Sequence, residues 1–209
     1  MPAVEDVKRI IIIEAATKVF AQKGYQYATI SEIAREAGMA TGLLYSYFQN
    51  KLDVLLSIVL RFLQTINAQN DKTLTPLQDA GDKLYVLLHN CEHILLIDES
   101  SLYLVKVLHD ALPHVSVHKD LKLHDKQNMI ISENQILVET IDAIITEGQR
   151  QGIFDDSLSC SVMRQIFSGA IERIFYGLYF QMVVGQKVGY DADEGQQAVR
   201  RLIETFIRR

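Results

Sequence analysis

The chain has 209 residues, 48% of them hydrophobic and 22% charged, which is an ordinary globular composition with room for one large domain or two small ones. The net charge of −5 argues against a strongly basic nucleic-acid binder, although residues 1–52 carry +1 and the remainder −6. No signal peptide or membrane span is expected, since the apolar runs at residues 10–13 and Phe175–Gly185 are too short.

The first helix is predicted over about residues 5–23, where apolar residues recur at the spacing of one buried face. That face consists of Ile12, Ala16, Val19 and Phe20. Gly24 is placed to end the helix as a left-handed cap. A single amphipathic helix is therefore expected before residue 24.

A second and a third helix follow, separated by a glycine turn. Thr29 begins the second helix, and Glu32 three residues later completes the pattern of a capping box. Gly38 breaks this helix, and a third is expected from Ala40 or Thr41 to about Phe48. The arrangement is that of a helix-turn-helix unit, whose second helix enters the DNA major groove.

A long fourth helix is predicted from Asn50, because the apolar side chains from Leu52 to Ile66 fall on one stripe. No alternating strand pattern or repeat follows. The later predicted elements are a helix striped from Leu84 to Leu95, a helix over Ser101–Ala111 that stops before Pro113, a loop and helix start at Pro113–Lys126, a long helix to about Gln151 capped by Gly152, a helix from Ser159 to Val184, and a last helix over Asp191–Ile207. The predicted fold is all-α, with about nine helices.

The stretch TGLLYSYFQNK has the residue types that a groove-binding helix requires. Ala40, Thr41 and Gly42 are small, so the start of the helix can approach the base edges closely. Leu44 and Phe48, four residues apart, are expected to face the first two helices. This short helix is therefore predicted to read DNA through its N-terminal end.

Polar side chains around this helix suit the DNA backbone. Tyr45 and Tyr47 carry stiff phenols that can donate to phosphate oxygens, which gives orientation rather than sequence information. Lys51 adds a charge and a helix N-terminus. The hydroxyls of Thr29 and Ser31 can also contact the DNA backbone. Each residue taken singly is compatible with a structural role, but the ordered set indicates DNA binding.

The segment EAATKVFAQKGYQYATISEIAREAGMATGLLYSYFQNKLDVL resembles the DNA-binding domain of tetracycline-repressor-type (TetR) regulators. The resemblance implies a homodimer, an operator-binding domain over residues 1–52, and a ligand-binding and dimerisation domain over residues 53–209. It assigns phosphate and base contacts to Thr29, Ser31, Thr41, Gly42, Leu43, Tyr45, Tyr47 and Lys51. Leu43 stands where the family more commonly has threonine, which removes a polar base contact and favours a thymine methyl group.

The last two helices carry the predicted dimer face, which the resemblance supports. Gly169 and Gly177 permit close helix approach, but an intramolecular core is an equal alternative from the residues alone. The apolar members of this face are Val162, Ile166, Ala170 and Ile174 in one helix and Val199, Leu202, Ile203 and Phe206 in the other.

A pocket with apolar walls is expected between the middle helices. The stretches ITEGQRQGIFDD and QIFSGAIERIFYGLYF are similar to the fatty-acid-metabolism repressors of the family, which sense acyl-CoA. A hydrophobic or amphipathic effector is therefore expected, with acyl-CoA first and a hydrophobic drug or aromatic compound second. The wall residues, each alternatively core, are Phe62, Leu63, Leu87, Tyr103, Leu104 and Tyr176. The cations for phosphate groups, each alternatively ion-paired, are Lys106, Arg150 and Arg173.

The sequence gives weaker support to a metal site or to catalytic activity. His89 and His93 lie four residues apart beside Glu92, but zinc requires three or four converging ligands. The downstream histidines form no motif; they are His109, His114, His118 and His124. No cofactor, metal, catalytic residue or membrane partner is expected, and Cys91 and Cys160 are expected to be reduced thiols in the cytoplasm. The alternative is an all-α metal-binding protein or enzyme that retains the helix-turn-helix for packing.

Overall fold

The computed structural model describes residues 4–95, 101–117, 123–185 and 187–206, and its side-chain description leaves out 4–6, 112–117, 184, 192 and 206. Within these ranges the chain forms nine α-helices and no strand, which confirms the predicted all-α class. None of these helices is long and apolar enough to cross a membrane. In chain order they are α1 (Val4–Lys23), α2 (Ile30–Glu36), α3 (Thr41–Tyr45), α4 (Lys51–Leu74), α5 (Ala80–Leu95), α6 (Ser101–Val117), α7 (His124–Arg150), α8 (Cys160–Val184) and α9 (Ala192–Phe206).

Helix α3 is shorter than predicted, because it ends at Tyr45 rather than near Phe48. The hydroxyl of Ser46 donates to the carbonyl oxygen of Leu43 at 2.6 Å, in competition with the backbone ladder. The amide of Phe48 still donates to the Leu44 carbonyl at 3.0 Å, so the chain continues as a turn that carries Phe48 inward.

Helix α6 is longer than predicted, because it runs through Pro113 to Val117. Proline removes one backbone donor but keeps a φ compatible with a helix. The loop predicted to start at Pro113 is therefore wrong over its first five residues. The next part of that predicted loop, residues 118–122, lies outside the described residues, and α7 begins at His124.

Helix α2 begins with a reciprocal cap. The Thr29 hydroxyl accepts from the Glu32 amide at 3.3 Å, and a Glu32 carboxylate oxygen accepts from the Thr29 amide at 3.0 Å, which confirms the predicted capping box. Lys23 at the end of α1 also donates to Glu32. The Lys23 ammonium first, and the Thr29 donors second, lower the pKa of Glu32 to about 2. This cap therefore stays ionised through the physiological pH range.

The helices form two compact units. Unit 1 comprises Met1–Leu63 and Tyr103–Ser132, and unit 2 comprises Gln64–Leu102 and Glu133–Arg209. Helices α4 and α7 thus supply residues to both units. The core of unit 1 includes the predicted inner face of α1, and each large aliphatic side chain buried there stabilises the fold by roughly 1.5–3 kcal/mol. Its fully or almost fully buried members include Ile12, Ala16, Val19, Phe20, Ile33, Ala34, Leu44, Phe48, Leu55 and Leu56.

In unit 2 a phenylalanine ring shapes the end of α7. A Cβ atom on Gly148 would lie 2.2 Å from Cδ2 of the buried Phe154 ring, so this position accepts only glycine. Gly152 has a φ of +73° and ends the helix, as predicted. The amides of Ile153 and Phe154 both donate to the Gly148 carbonyl, at 2.9 and 3.0 Å. The stretch from Gly148 to Phe154 is therefore a helix end folded back against α7.

Unit 1 also contains a buried ion pair between α4 and α7. Asp53, in the first turn of α4, is 4% exposed, and one of its oxygens accepts from the Lys126 ammonium. The other oxygen accepts from the Gln49 amide at 2.8 Å. Lys126 also donates to the Ser57 hydroxyl at 2.7 Å and lies 5.9 Å from the centre of the Phe48 ring. The first turn of α7 is thereby attached to the first turns of α4.

Replacing Lys126 with methionine is expected to lower the free energy of unfolding by about 3 kcal/mol, because the buried Asp53 carboxylate loses its cation. Urea denaturation followed by circular dichroism measures the change. Lys72→Met, at an exposed position of α4, is the matched control and should change stability by less than about 0.5 kcal/mol. Equal losses in the two variants would contradict a stabilising role for the ion pair.

Candidate functional site

The helix-turn-helix unit consists of α2, a turn over residues 37–40, and α3. Gly38 sits in the turn with a φ of +66°, and the Met39 amide donates to the Ala34 carbonyl at 2.8 Å. Leu44 and Phe48 are almost fully buried, as predicted. The opposite side of α3 therefore faces outward from unit 1.

The residues predicted to contact DNA are largely on that outer side. Leu43 is 37% exposed and Tyr45 is 56% exposed, so this side of α3 presents an apolar and aromatic edge to solvent. Thr29, Ser31, Ala40 and Gly42 are also exposed, whereas Thr41, Tyr47 and Lys51 are half-buried. An outward apolar and aromatic edge of this kind indicates a binding surface.

Gly42 shows how closely another molecule can approach this edge. A Cβ atom added at Gly42 would meet nothing within 4 Å. The absence of a side chain is therefore not required by packing within unit 1. It leaves the backbone at the start of α3 open to close approach from outside.

Lys51 has a different environment from the one predicted. Its ammonium group donates to the carbonyls of Tyr25, Gln26 and Ala28, at 2.7, 3.1 and 3.0 Å. It also lies 4.6 Å from the centre of the Tyr25 ring. Burial lowers the pKa of Lys51 below its ordinary value. The side chain therefore ties the loop between α1 and α2 to the first residue of α4.

Backbone amides at the start of α4 are also occupied by hydrogen bonds to nearby side chains. The side-chain oxygen of Asn50 accepts from the Asp53 amide at 2.8 Å, and the Asp53 carboxylate accepts from the Gln49 amide. These two backbone donors are thus occupied. The Thr29 hydroxyl is likewise engaged, since it donates to Glu32 at 3.0 Å while it accepts from the Glu32 amide.

One exposed aromatic residue is not singled out by the sequence pattern. Tyr27 is 83% exposed, the largest value among the large hydrophobic side chains of the described residues. It lies in the loop that Lys51 holds, two residues before the cap Thr29. The sequence could have indicated this residue, because Tyr27 lies between two predicted helices and close to Thr29, a predicted DNA contact.

The predicted effector residues fall in both compact units. Phe62, Leu63, Tyr103, Leu104 and Lys106 belong to unit 1. Leu63 is buried, and the Tyr103 hydroxyl accepts from the Gln22 side chain at 3.5 Å. Lys106 is half-buried and ion-paired with Asp110 one turn later on α6, which is the alternative that the sequence leaves open.

In unit 2, Leu87 is buried and Tyr176 is half-buried beside Tyr179, with ring centres 5.9 Å apart. Arg173 is exposed. Arg150 is also exposed and donates to Glu147 at 2.8 and 2.7 Å. Neither arginine therefore lies among the buried residues of unit 2.

The surface of α8 has an exposed stripe. Val162, Ile166, Gly169 and Arg173 recur at a spacing of three or four residues, and all four are exposed. A Cβ atom at Gly169 would meet nothing within 4 Å. The stripe continues beyond them with Phe180 and Val183, which are also exposed.

Other residues of the predicted dimer face are internal. Val199 and Ile203 of α9 are buried in unit 2, because α9 turns its apolar side inward. Gly177 is buried, and a Cβ atom there would lie 2.0 Å from the Tyr190 hydroxyl, which donates to the Ile174 carbonyl. For these residues the intramolecular alternative applies. The side chain of Phe206 lies outside the described residues.

No group of three or more histidine, cysteine, aspartate or glutamate side chains suited to a metal ion occurs in the described part of the chain. The rings of His89 and His93 are 6.4 Å apart. The side chain of His114 and all of His118 lie outside the described residues. Cys91 and Cys160 are free thiols, and burial raises the pKa of Cys91 to about 12, so its thiol stays protonated.

Lys51→Met is expected to lower the free energy of unfolding by about 2 kcal/mol, since three loop carbonyls lose a charged donor. It should also increase hydrogen exchange of the amides in residues 24–29. The control is Lys18→Met, which breaks an exposed pair with Glu36 and should leave stability nearly unchanged. If Lys51→Met left both stability and loop exchange unchanged, the loop would not depend on this contact.

Comparison with known proteins assigns this site to a family. The model for bacterial regulatory proteins of the tetR family matches residues 12–58, which span α1 to the start of α4. The fatty acid metabolism regulator protein of Bacillus subtilis (strain 168) is 29% identical over 166 residues, which cover 79% of this chain and 80% of that protein. The N-terminal match thus coincides with the helix-turn-helix unit and its two supporting helices.

Solved structures extend the likeness over the full chain. The fatty acid degradation regulator FadR from Bacillus halodurans superposes with a TM-score of 0.70 at 25% identity and covers 94% of both chains. FadR from Bacillus subtilis in complex with stearoyl-CoA gives a TM-score of 0.68 at 25% identity and covers 95% of this chain and 99% of that chain. These relatives are transcriptional regulators and not enzymes. The chain thus has a tetR-type DNA-binding domain over residues 12–58 and is similar along most of its length to DNA-binding transcriptional regulators of the TetR family.

Proposed function

We propose that this regulator is a repressor that binds a palindromic operator as a homodimer, and that an amphipathic small molecule, foremost an acyl-CoA, releases it. The DNA-binding domain is residues 1–52, and residues 53–209 bind the effector and the second subunit. The observation that carries the proposal is the outer edge of α3, where Leu43 and Tyr45 are exposed while Leu44 and Phe48 are buried. Its site of action is the cytoplasm.

Base contacts in this proposal come from the start of α3. Thr41, Gly42 and Leu43 meet the base edges, and Ala40 is small enough to permit the approach. Leu43 favours a thymine methyl group, because its side chain is apolar and exposed. Specificity therefore resides in a small part of the helix.

Phosphate contacts surround these base contacts. Tyr45 and Tyr47 donate from α3, and Ser31 donates from α2. Thr29 contacts phosphate only by sharing a hydroxyl already engaged with Glu32. Lys51 acts on DNA mainly by placing the α1–α2 loop, since its ammonium group is occupied by three carbonyls.

The homodimer is proposed to form through the exposed stripe of α8. Val162 and Ile166 supply apolar area, and Gly169 lets the helices approach closely. We call the helix-turn-helix unit of α2 and α3 the reading head. The two reading heads of a dimer on a palindrome must be separated by about 34–36 Å, one turn of DNA, so a fixed dimer geometry is a condition for binding. Arg173 is assigned to this surface rather than to the effector pocket, because it is exposed on the same stripe.

Two of the similar proteins, a curated relative and a solved structure, support the effector proposal. The Bacillus subtilis relative is a fatty acid metabolism regulator, and a FadR of the same fold is known in complex with stearoyl-CoA. A ligand that prefers the DNA-incompetent spacing shifts the dimer toward it. A coupling of about 1–3 kcal/mol weakens DNA binding about 5- to 150-fold. Predicted contacts remain Phe62, Leu63, Leu87, Tyr103, Leu104, Lys106 and Tyr176.

Two helices can transmit the effect of the ligand. In α4, Leu55 and Leu56 lie in the core of unit 1, and Ile66 lies further along the same helix in unit 2. In α7, Lys126 is bonded to Asp53 at the start of α4. A change that displaces either helix would therefore alter the support of the reading head.

Gel shifts with DNA from upstream of the protein's own gene test the DNA proposal. Tyr45→Phe is expected to weaken binding to all sequences alike, by about 2- to 10-fold, through the loss of one hydrogen bond. Leu43→Thr is expected to change the preferred base at one position of each half-site. Tyr85→Phe, a half-buried tyrosine of unit 2, is the control and should match the unaltered protein. The absence of any salt-sensitive, sequence-selective complex would refute the proposal.

Ile166→Asp tests the dimer face, because it places a charge in the middle of the exposed stripe. The unaltered protein is expected to sediment as a dimer and the variant as a monomer that binds the operator at least about tenfold more weakly. Ile131→Asp is the matched control, since Ile131 is an exposed isoleucine on α7. A variant that remained dimeric would place the interface elsewhere.

A further inference from the structure

The interior of unit 2 contains a cluster of neutral amide side chains between α4, α5 and α7. Asn70 and Asn90 are 2% and 1% exposed, and Asn67 lies one turn before Asn70 on α4. The Asn90 amide group donates to Asn70 Oδ1 at 2.8 Å and to the Thr73 hydroxyl at 2.9 Å. The Asn67 amide group donates to the backbone and side-chain oxygens of Glu133, at 2.8 Å each. Buried asparagines of this kind require nearly complete pairing.

The bonds in this cluster fix the orientation of each amide. Asn67 must turn its Nδ2 toward Glu133, because both of its partners there are acceptors. The Thr73 hydroxyl donates to the Gln69 carbonyl at 2.8 Å, so it accepts from Asn90. Asn90 therefore donates from Nδ2, and Asn70 must accept with Oδ1. No flip of a single amide improves these contacts.

Two polar atoms of this cluster remain unpaired. Three buried side-chain atoms have no hydrogen-bond partner among the described residues, and two of them, Asn67 Oδ1 and Asn70 Nδ2, belong to this cluster. One is an acceptor and the other a donor, and they belong to residues three apart on the same helix, which are neighbours on its surface. Atoms left in this state destabilise a protein, so they call for a partner that supplies one donor and one acceptor.

We propose that Asn67 and Asn70 form a polar subsite for the effector and bind a neutral group that carries both a donor and an acceptor. The inference rests on the proposed effector function and specifies its chemistry. An anionic group is disfavoured, because Asn67 offers an oxygen and the Glu133 carboxylate lies directly behind it. In an amphipathic thioester such a group has two sources. One is a hydroxyl on the acyl chain, and the other is an amide of the pantetheine arm.

The Asn70→Leu variant tests whether the cluster is a ligand subsite or only a structural hydrogen-bond network. The substitution removes the unpaired donor and fills similar space, and Asn90 keeps the Thr73 hydroxyl as a partner. The melting temperature of the ligand-free variant is therefore expected to equal or exceed that of the unaltered protein. Affinity for the effector is expected to fall about tenfold, since one hydrogen bond to a buried group is lost. Asn134→Leu, at an exposed position of α7, is the matched control, and Asn70→Ala is a second variant in case the leucine is not accommodated.

The probes are palmitoyl-CoA, 3-hydroxypalmitic acid and palmitic acid, with binding measured by calorimetry and operator release by gel shift. A loss confined to palmitoyl-CoA identifies the pantetheine amide, and a loss confined to the hydroxylated acid identifies the chain hydroxyl. Unchanged affinity for all three probes, together with a lower melting temperature, would mean that the cluster holds only a structural water and would overturn the inference. In that case release of the operator by palmitoyl-CoA would still support the proposed function. If no probe bound or released the operator, both proposals would fail.

Discussion

The placement of the reading head depends on one ammonium group. The carbonyls of Tyr25, Gln26 and Ala28 lie beyond the end of α1, where no further helical turn supplies them with donors, and all three converge on Lys51. Because Lys51 is the first residue of α4, this contact joins the α1–α2 loop to a 24-residue helix that supplies residues to both units. Helix α2, and through it α3, is positioned relative to α4 by this tie and by the apolar core beneath it.

The same end of α4 receives a second polar attachment. Asp53 bonds to Lys126 from α7 and to the Gln49 amide, so the turn between α3 and α4 and the start of α7 share one carboxylate. Buried ion pairs contribute little net stability compared with apolar packing, but losing one partner is costly. Such a pair specifies one arrangement of its helices. A regulator benefits from that property, because its DNA-binding and DNA-free states must be distinct arrangements rather than a continuum.

Departures from ordinary burial occur where function is proposed. The outer edge of α3 and the stripe on α8 expose apolar side chains, whereas unit 2 buries one unpaired atom in each of the Asn67 and Asn70 amides. Each departure costs stability in the isolated chain, and the proposed function assigns each a particular partner that relieves it: DNA, a second subunit or a ligand. Local conflict with the rules of folding is expected at functional sites, where the stabilising contact comes from another molecule.

The amino-acid sequence by itself determined the helices and the reading head, because these depend on local periodicity and caps. The T-x-x-E pattern at Thr29, the glycines at 24, 38 and 152, and the burial of Leu44 and Phe48 all follow from residues close together in the chain. The course of α6 through Pro113 does not, since the local signal of a proline predicts a helix end there. The spacing of residues could not reveal that Lys51 bonds to a loop about 25 residues earlier. It could not reveal that Val199 and Ile203 are buried while Ile166 is exposed. It also could not reveal that Asn67 and Asn70 each keep one unpaired atom. Those contacts join residues far apart in the sequence, and only the tertiary structure decides which of several available partners each polar or apolar group meets.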